Sequence, residues 1–80
     1  MNGSNSWLVT FRYLDDERTV HCFYVVRDAA DPDSAQRMAA VEAASPLDLL
    51  SRAFHPLDQS WLQVERLQPN LLGEWVLTPA

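Results

Sequence analysis

The first half of the chain opens with two segments in which apolar side chains recur at every second position. In residues 7–14 the larger apolar side chains share one face, which predicts a half-buried β-strand. Residues 19–27 are apolar on both faces, which indicates a strand that is covered twice or that meets a partner. The polar segment 15–18 separates the two strands and predicts an antiparallel hairpin, although it lacks an Asn-Gly or Asp-Gly pair.

Two helix starts follow the hairpin, and each pairs a capping residue with a proline. Asp31 precedes Pro32, and Ser45 precedes Pro46, as at the first positions of helices. These signals predict one helix up to residue 44 and a second up to Phe54. Helical spacing then predicts which side chains face a sheet. We expect the core to combine one face of the first strand with the helix residues Met38, Val41, Leu50 and Phe54, beside Ala35 and Ala39. The strand face is either that of Trp7, Val9 and Phe11 or the opposite one.

The pattern predicts two further strands, over residues 61–67 and 74–78, joined by a loop that ends at Gly73. The element order is therefore ββααββ. We expect one α+β domain over residues 1–80, in which a four-stranded antiparallel sheet carries its helices packed on one face. Residues 1–5 are expected to be flexible.

The composition excludes several classes of function but does not identify one. The chain of 80 residues has a net charge of −5 and six basic residues, all arginine. Such a balance disfavours direct binding of nucleic acid or of an anionic membrane. No apolar run approaches the length of a membrane span, and residues 1–6 do not resemble a secretory signal, so a cytoplasmic location is expected. The absence of lysine and isoleucine indicates a GC-rich bacterial or phage genome.

No residue pattern predicts catalysis, a cofactor or a metal site. Cys22 is the only cysteine, which excludes an intramolecular disulfide. Its neighbour His21 points to the opposite face of the predicted strand, so the two side chains cannot form one nucleophile and base pair. No His or Cys spacing is typical of a metal site. We therefore expect a non-enzymatic protein without cofactors.

Acidic and aromatic side chains are the candidates for binding a partner. Acids lie at both ends of the second predicted strand, and aromatic residues exceed what a small core needs. Solvated turns and ordinary core packing are the competing explanations. The candidate partner-binding residues are Asp15, Asp16, Glu17, Asp28, Phe23, Trp61 and Trp75. Trp, Tyr and Arg are enriched at the centres of protein interfaces.

In its small size, acidity, inferred origin and ββααββ layout the chain resembles the small inhibitor proteins of phages and mobile elements, such as anti-CRISPR proteins. The resemblance covers general character over the whole chain and includes no motif. It implies a module that binds another protein and blocks its nucleic-acid-binding surface. The alternatives are an accessory subunit and a homodimeric structural protein, and a small enzyme is the least favoured of them. A second copy of the chain is a natural partner for a strand that is apolar on both faces.

Overall fold

The computed structural model describes residues 5–79 and contains six elements. In chain order they are β1 (Ser6–Asp15), β2 (Arg18–Arg27), α1 (Pro32–Ala43), α2 (Pro46–Ser51), β3 (Gln63–Pro69) and β4 (Trp75–Pro79). The predicted α+β class and the ββααββ order are confirmed. Of the segment 1–5 that we expected to be flexible, residues 1–4 lie outside the described part of the chain. None of the described helices has the length and apolar character needed to cross a membrane.

The four strands form one antiparallel sheet in the order β2-β1-β3-β4. The hairpin of β1 and β2 pairs along all ten residues of each strand. The pairing of β1 with β3 is shorter and stops at Thr10, opposite Gln63. Beyond this point the edge of β1 is met by the segment that precedes β3, where the Asp58 amide donates to the Arg12 carbonyl oxygen at 2.8 Å.

Both helices begin as the capping signals predict. The Asp31 side chain accepts a hydrogen bond from the Ser34 amide at 2.7 Å, and Ser45 accepts one from the Asp48 amide at 3.4 Å. The second helix, however, ends at Ser51 rather than at Phe54. Its continuation is broken because Ala53 and Phe54 adopt φ values of 52° and 60°, in the left-handed region that L-residues seldom occupy.

The core lies between α1 and the face of β1 that carries its large apolar side chains. Trp7, Val9, Phe11 and Val26 pack with a stripe of alanines on α1, spaced four residues apart. The stripe consists of Ala35, Ala39 and Ala43, which are all almost fully buried. Small side chains let a helix approach a sheet closely, so the bulky residues of β1 fill the space between them.

The prediction that the large apolar residues of the helices enter the core is wrong. Met38, Val41, Leu50 and Phe54 are all exposed, with 75% of Val41 and 65% of Phe54 accessible to solvent. Val41 lies on the side of α1 away from the alanine stripe, and Met38 lies at the flank of the stripe. Phe54 follows the early end of α2, and the left-handed backbone there turns its side chain outwards.

Candidate functional site

The face of the sheet opposite Trp7, Val9 and Phe11 carries a row of exposed apolar side chains. We call it the outer face. The strand register places on it alternate residues of all four strands. Phe23 and Val25 on β2 and Trp75 and Leu77 on β4 are exposed, whereas Leu8 on β1 and Leu67 on β3 are half-buried. Phe23 and Trp75 are 65% and 64% exposed, which is high for side chains of this size.

One end of the outer face forms a groove that contains two of the predicted partner-binding residues. Trp75 and Asp28 line it together with Val25, Arg27 and Leu67, around a volume of about 510 Å³. The Asp28 amide donates to the Asn5 carbonyl oxygen at 2.9 Å, which fixes the position of this acid beside the start of β1. The groove therefore combines an apolar wall with one side chain of each charge.

At the other end of the outer face, Phe23 and Trp61 are connected through His21. The His21 ring stacks on Phe23 with centroids 6.4 Å apart and meets the edge of Trp61 at 5.3 Å. The Arg12 guanidinium lies 5.0 Å from the centre of the Trp61 ring. Sequence reasoning missed His21 and Arg12 as parts of this cluster. The signal was present, since His21 and Phe23 are two residues apart on one strand and share its face.

The acids of the hairpin turn lie beyond the end of β2 that is nearer to His21 and Phe23. Asp16 and Glu17 form the exposed turn between β1 and β2, and Asp16 has a φ of 56°. Asp15 is half-buried, with its Oδ1 3.8 Å from Nε2 of His55. A ten-residue strand spans about 33 Å, so β2 separates these acids from Asp28. The structure thus groups Asp28 with Trp75 and Phe23 with Trp61, and leaves the turn acids on their own.

The position of Trp61 is fixed by hydrogen bonds around Asp58. One oxygen of the Asp58 carboxylate accepts from Nε of Arg12 at 2.9 Å, and the other accepts from the amide and hydroxyl of Ser60. These contacts tie the segment before β3 to the edge of β1. The Ser60 hydrogen bonds and, after them, the Arg12 hydrogen bond lower the pKa of Asp58 to about 2.

This lowered pKa predicts how the stability of the domain responds to acid. A carboxyl group whose pKa is depressed by folding stabilises the fold above its unfolded pKa of about 3.9, and that contribution is lost as the pH falls towards 2. We expect Asp58→Asn to lose less of its unfolding free energy than the wild type between pH 4 and pH 2. Urea unfolding followed by circular dichroism at pH 7, 4 and 2.5 measures the difference.

The control for this experiment is Asp16→Asn, which changes an exposed acid of the turn. Its pH dependence should follow that of the wild type. The free energy of unfolding of both variants still falls with pH, because the hydrogen bonds from Ser34 also lower the pKa of Asp31. Equal losses for Asp58→Asn and the wild type would show that the Asp58 hydrogen bonds do not stabilise the folded state.

We call the face of the sheet that carries Trp7, Val9 and Phe11 the inner face. On this face, β2 carries a second polar cluster. The Tyr24 hydroxyl donates to Oδ2 of Asp48 at 2.7 Å, which links β2 to α2. Burial and this hydrogen bond raise the pKa of the Tyr24 hydroxyl well above its ordinary value. The half-buried Cys22 lies on the same face, and burial raises the pKa of its thiol. A raised pKa lowers the thiolate fraction, so this arrangement disfavours reaction at Cys22.

The geometry assembles no recognisable catalytic constellation among these residues. Cys22 pairs with Phe11 and His21 pairs with Arg12, so the two neighbours lie on opposite faces of the sheet. No group of three or more His, Cys, Asp or Glu side chains within residues 5–79 is arranged to hold a metal ion. The chain matches no protein-family model, no curated protein and no solved structure.

Proposed function

We propose that the protein is a non-enzymatic interaction module of the bacterial cytoplasm that binds another protein through its outer face. One observation supports this proposal above all: within residues 5–79, more of the large apolar side chains are exposed than buried. Four of them, Phe23, Val25, Trp75 and Leu77, lie on the outer face, where Val25 and Trp75 line one groove. Contiguous apolar patches on small domains usually mark an interface.

The proposal includes the placement of both helices on the inner face of the sheet. The alanine stripe of α1 packs on Trp7, Val9 and Phe11, and α2 reaches Tyr24 through Asp48. Both contacts involve residues of the inner face. With the helices there, the outer face stays free for a partner.

The charges around the outer face support a partner with a basic surface. On the face itself Arg27 and Glu65 balance each other, and Arg12 is paired with Asp58. The excess of acid lies at the two ends of β2, in the turn before it and at Asp28 after it. A protein that binds nucleic acid offers a matching surface of arginine and lysine. We therefore propose an inhibitor of the phage type, similar in action to anti-CRISPR proteins, which occupies such a surface.

A photo-crosslinking experiment tests this proposal. A benzophenone amino acid is placed at Phe23 or Trp75 on the outer face, and at Leu71 or Leu72 in the β3–β4 loop as matched controls. All four side chains are exposed and apolar, and the loop positions are the more exposed of the two pairs. In lysate of a GC-rich bacterium we expect positions 23 and 75 to give the same adduct, and positions 71 and 72 to give none.

The partner in that adduct is then purified, and its binding to DNA or RNA is measured with and without the module. Inhibition of nucleic-acid binding by the wild type, and a large loss of inhibition in Phe23→Ser with Trp75→Ser, would support the proposal. Adducts from the loop positions alone, or none at all, would contradict it. An adduct of twice the mass of the 9.1 kDa chain would identify a homodimer instead.

A further inference from the structure

A second groove lies beside α1, between its C-terminal half and the segment that leads into β3. Its volume is about 370 Å³, near the lower end of the range for small-molecule sites. Most of its lining is apolar and comes from Ala40, Ala44, Leu49, Leu57, Trp61 and Leu62. Arg52 also lines it, together with Gln36, Asp58 and Gln59, so the wall is mainly apolar and includes one cationic side chain.

Arg52 is an unusual arginine because only 6% of it is exposed and it forms no ion pair with any described carboxylate. Its Nη1 donates to the Ala43 carbonyl oxygen at 2.8 Å, and its Nε donates to the His55 carbonyl oxygen at 3.2 Å. Both partners are neutral. The positive charge is therefore held in place by carbonyl groups without being neutralised by an acid.

One nitrogen of this guanidinium is free to bind a ligand. Nη2 donates to no group in the described part of the chain. Every fully buried side-chain nitrogen of residues 5–79 has a partner, so Nη2 reaches solvent. Because Arg52 lines the groove, we place that contact there. The nearby acids are already engaged, Asp48 by the Tyr24 hydroxyl and Asp58 by Arg12 and Ser60.

We infer that this groove binds a small molecule that has one carboxylate and an apolar body. The carboxylate accepts a charge-assisted hydrogen bond from Nη2 of Arg52, and the apolar body displaces water from Ala40, Ala44 and Leu62. A single negative charge matches the single unpaired guanidinium. A doubly charged phosphate fits less well, because the Asp58 carboxylate, which also lines the groove, repels two negative charges more strongly than one.

A titration with octanoate, followed in ¹H–¹⁵N correlation spectra, tests this inference on the full chain. Octanol has the same carbon chain without the charge and serves as the matched probe. We expect saturable shifts at the Ala44 and Leu62 amides with octanoate, and binding of octanol weaker by about tenfold, the effect of losing one charge-assisted hydrogen bond. Equal affinities for octanoate and octanol would overturn the role of Arg52.

Two variants locate the site. Ala40→Leu extends an exposed alanine into the groove and keeps a residue that favours helix, so we expect octanoate affinity to fall at least about tenfold. Ala30→Leu makes the same change at an exposed alanine outside the groove and should bind as the wild type. Undiminished binding to Ala40→Leu, or the absence of saturable shifts in the wild type, would overturn the inference.

The charge is tested separately with Arg52→Gln. If this variant retains the dispersed spectrum of a folded chain, octanoate should bind no better than octanol does to the wild type. Octanoate binding to it at wild-type strength would contradict the inference. If the variant unfolds, the comparison of octanoate with octanol on the wild type and on Ala40→Leu decides the question.

Discussion

Replacing Trp7 by alanine is expected to remove most of the domain's free energy of unfolding. The Trp7 side chain is 5% exposed and packs in the core with Val9 and Ala39. Its indole nitrogen donates to the Ala29 carbonyl oxygen at 3.0 Å, and this oxygen would lose its partner. Truncating a buried tryptophan costs about 3–5 kcal/mol. A domain of this size has a free energy of unfolding near the low end of about 5–15 kcal/mol.

Urea unfolding followed by circular dichroism measures this loss, and the chain supplies two controls. Trp75→Ala removes the same side chain from a position that is 64% exposed, and Phe54→Ala removes another large aromatic at 65% exposure. Each should change the free energy of unfolding by less than about 1 kcal/mol. A loss for Trp75→Ala as large as that for Trp7→Ala would mean that the outer face is part of the folding core.

The period of β1 predicted two alternative faces for the core, and the structure selects the face with the larger apolar side chains. Trp7, Val9, Phe11 and Tyr13 are large and apolar at every second position, and all four are buried. The opposite face carries Leu8 and Leu14 beside Thr10 and Arg12, and these two leucines kept that face open as an alternative. The helix starts could be predicted because their signals are local, since each depends on residues within four positions of one another.

The helical half of the core could not be predicted because hydrophobicity and close packing favour different faces of α1. Met38 and Val41 are more hydrophobic than alanine, so the sequence pattern predicted that they face the sheet. The bulk of Trp7 and Phe11 leaves room only for a helix that presents small side chains. This is a tertiary effect, and the only sign of it in the sequence of α1 is the four-residue spacing of Ala35, Ala39 and Ala43.

The candidate site shows the same division between local and tertiary signals. Exposure of Phe23 and Trp75 could be anticipated from a strand apolar on both faces and from a surplus of aromatic residues. The connection of Trp61 to Phe23 through His21 depends on the segment before β3, which Asp58 holds in place. No sequence period sets the position of that segment.

Arg52 is the clearest case of a residue whose role appears only in the fold. The last turn of α1 contains no basic residue to compensate its exposed carbonyl groups. Arg52, the residue that follows α2, supplies the missing cation and donates to the Ala43 carbonyl oxygen at 2.8 Å. A positive charge at the C-terminal end of a helix is favourable because it complements the helix dipole.

Removing this side chain in Arg52→Ala is expected to lower the free energy of unfolding by about 2–4 kcal/mol. The carbonyl oxygens of Ala43 and His55 would both lose their donor, and a buried carbonyl without a partner costs about 1–3 kcal/mol. Arg52→Lys keeps the charge but cannot offer two donors in a fixed fork, so its loss should lie between those of the wild type and the alanine variant.

The matched control is Arg37→Ala, which removes an exposed arginine side chain of α1 whose only described hydrogen bond goes to the Ser34 hydroxyl at 3.3 Å. Its effect should stay within about 0.5 kcal/mol. Urea unfolding of the four proteins at pH 7 gives the order directly. If Arg52→Ala were as stable as Arg37→Ala, water would be serving the two carbonyl groups equally well. The junction of α1 and α2 would then be held together by the Tyr24–Asp48 hydrogen bond and side-chain packing rather than by the buried guanidinium.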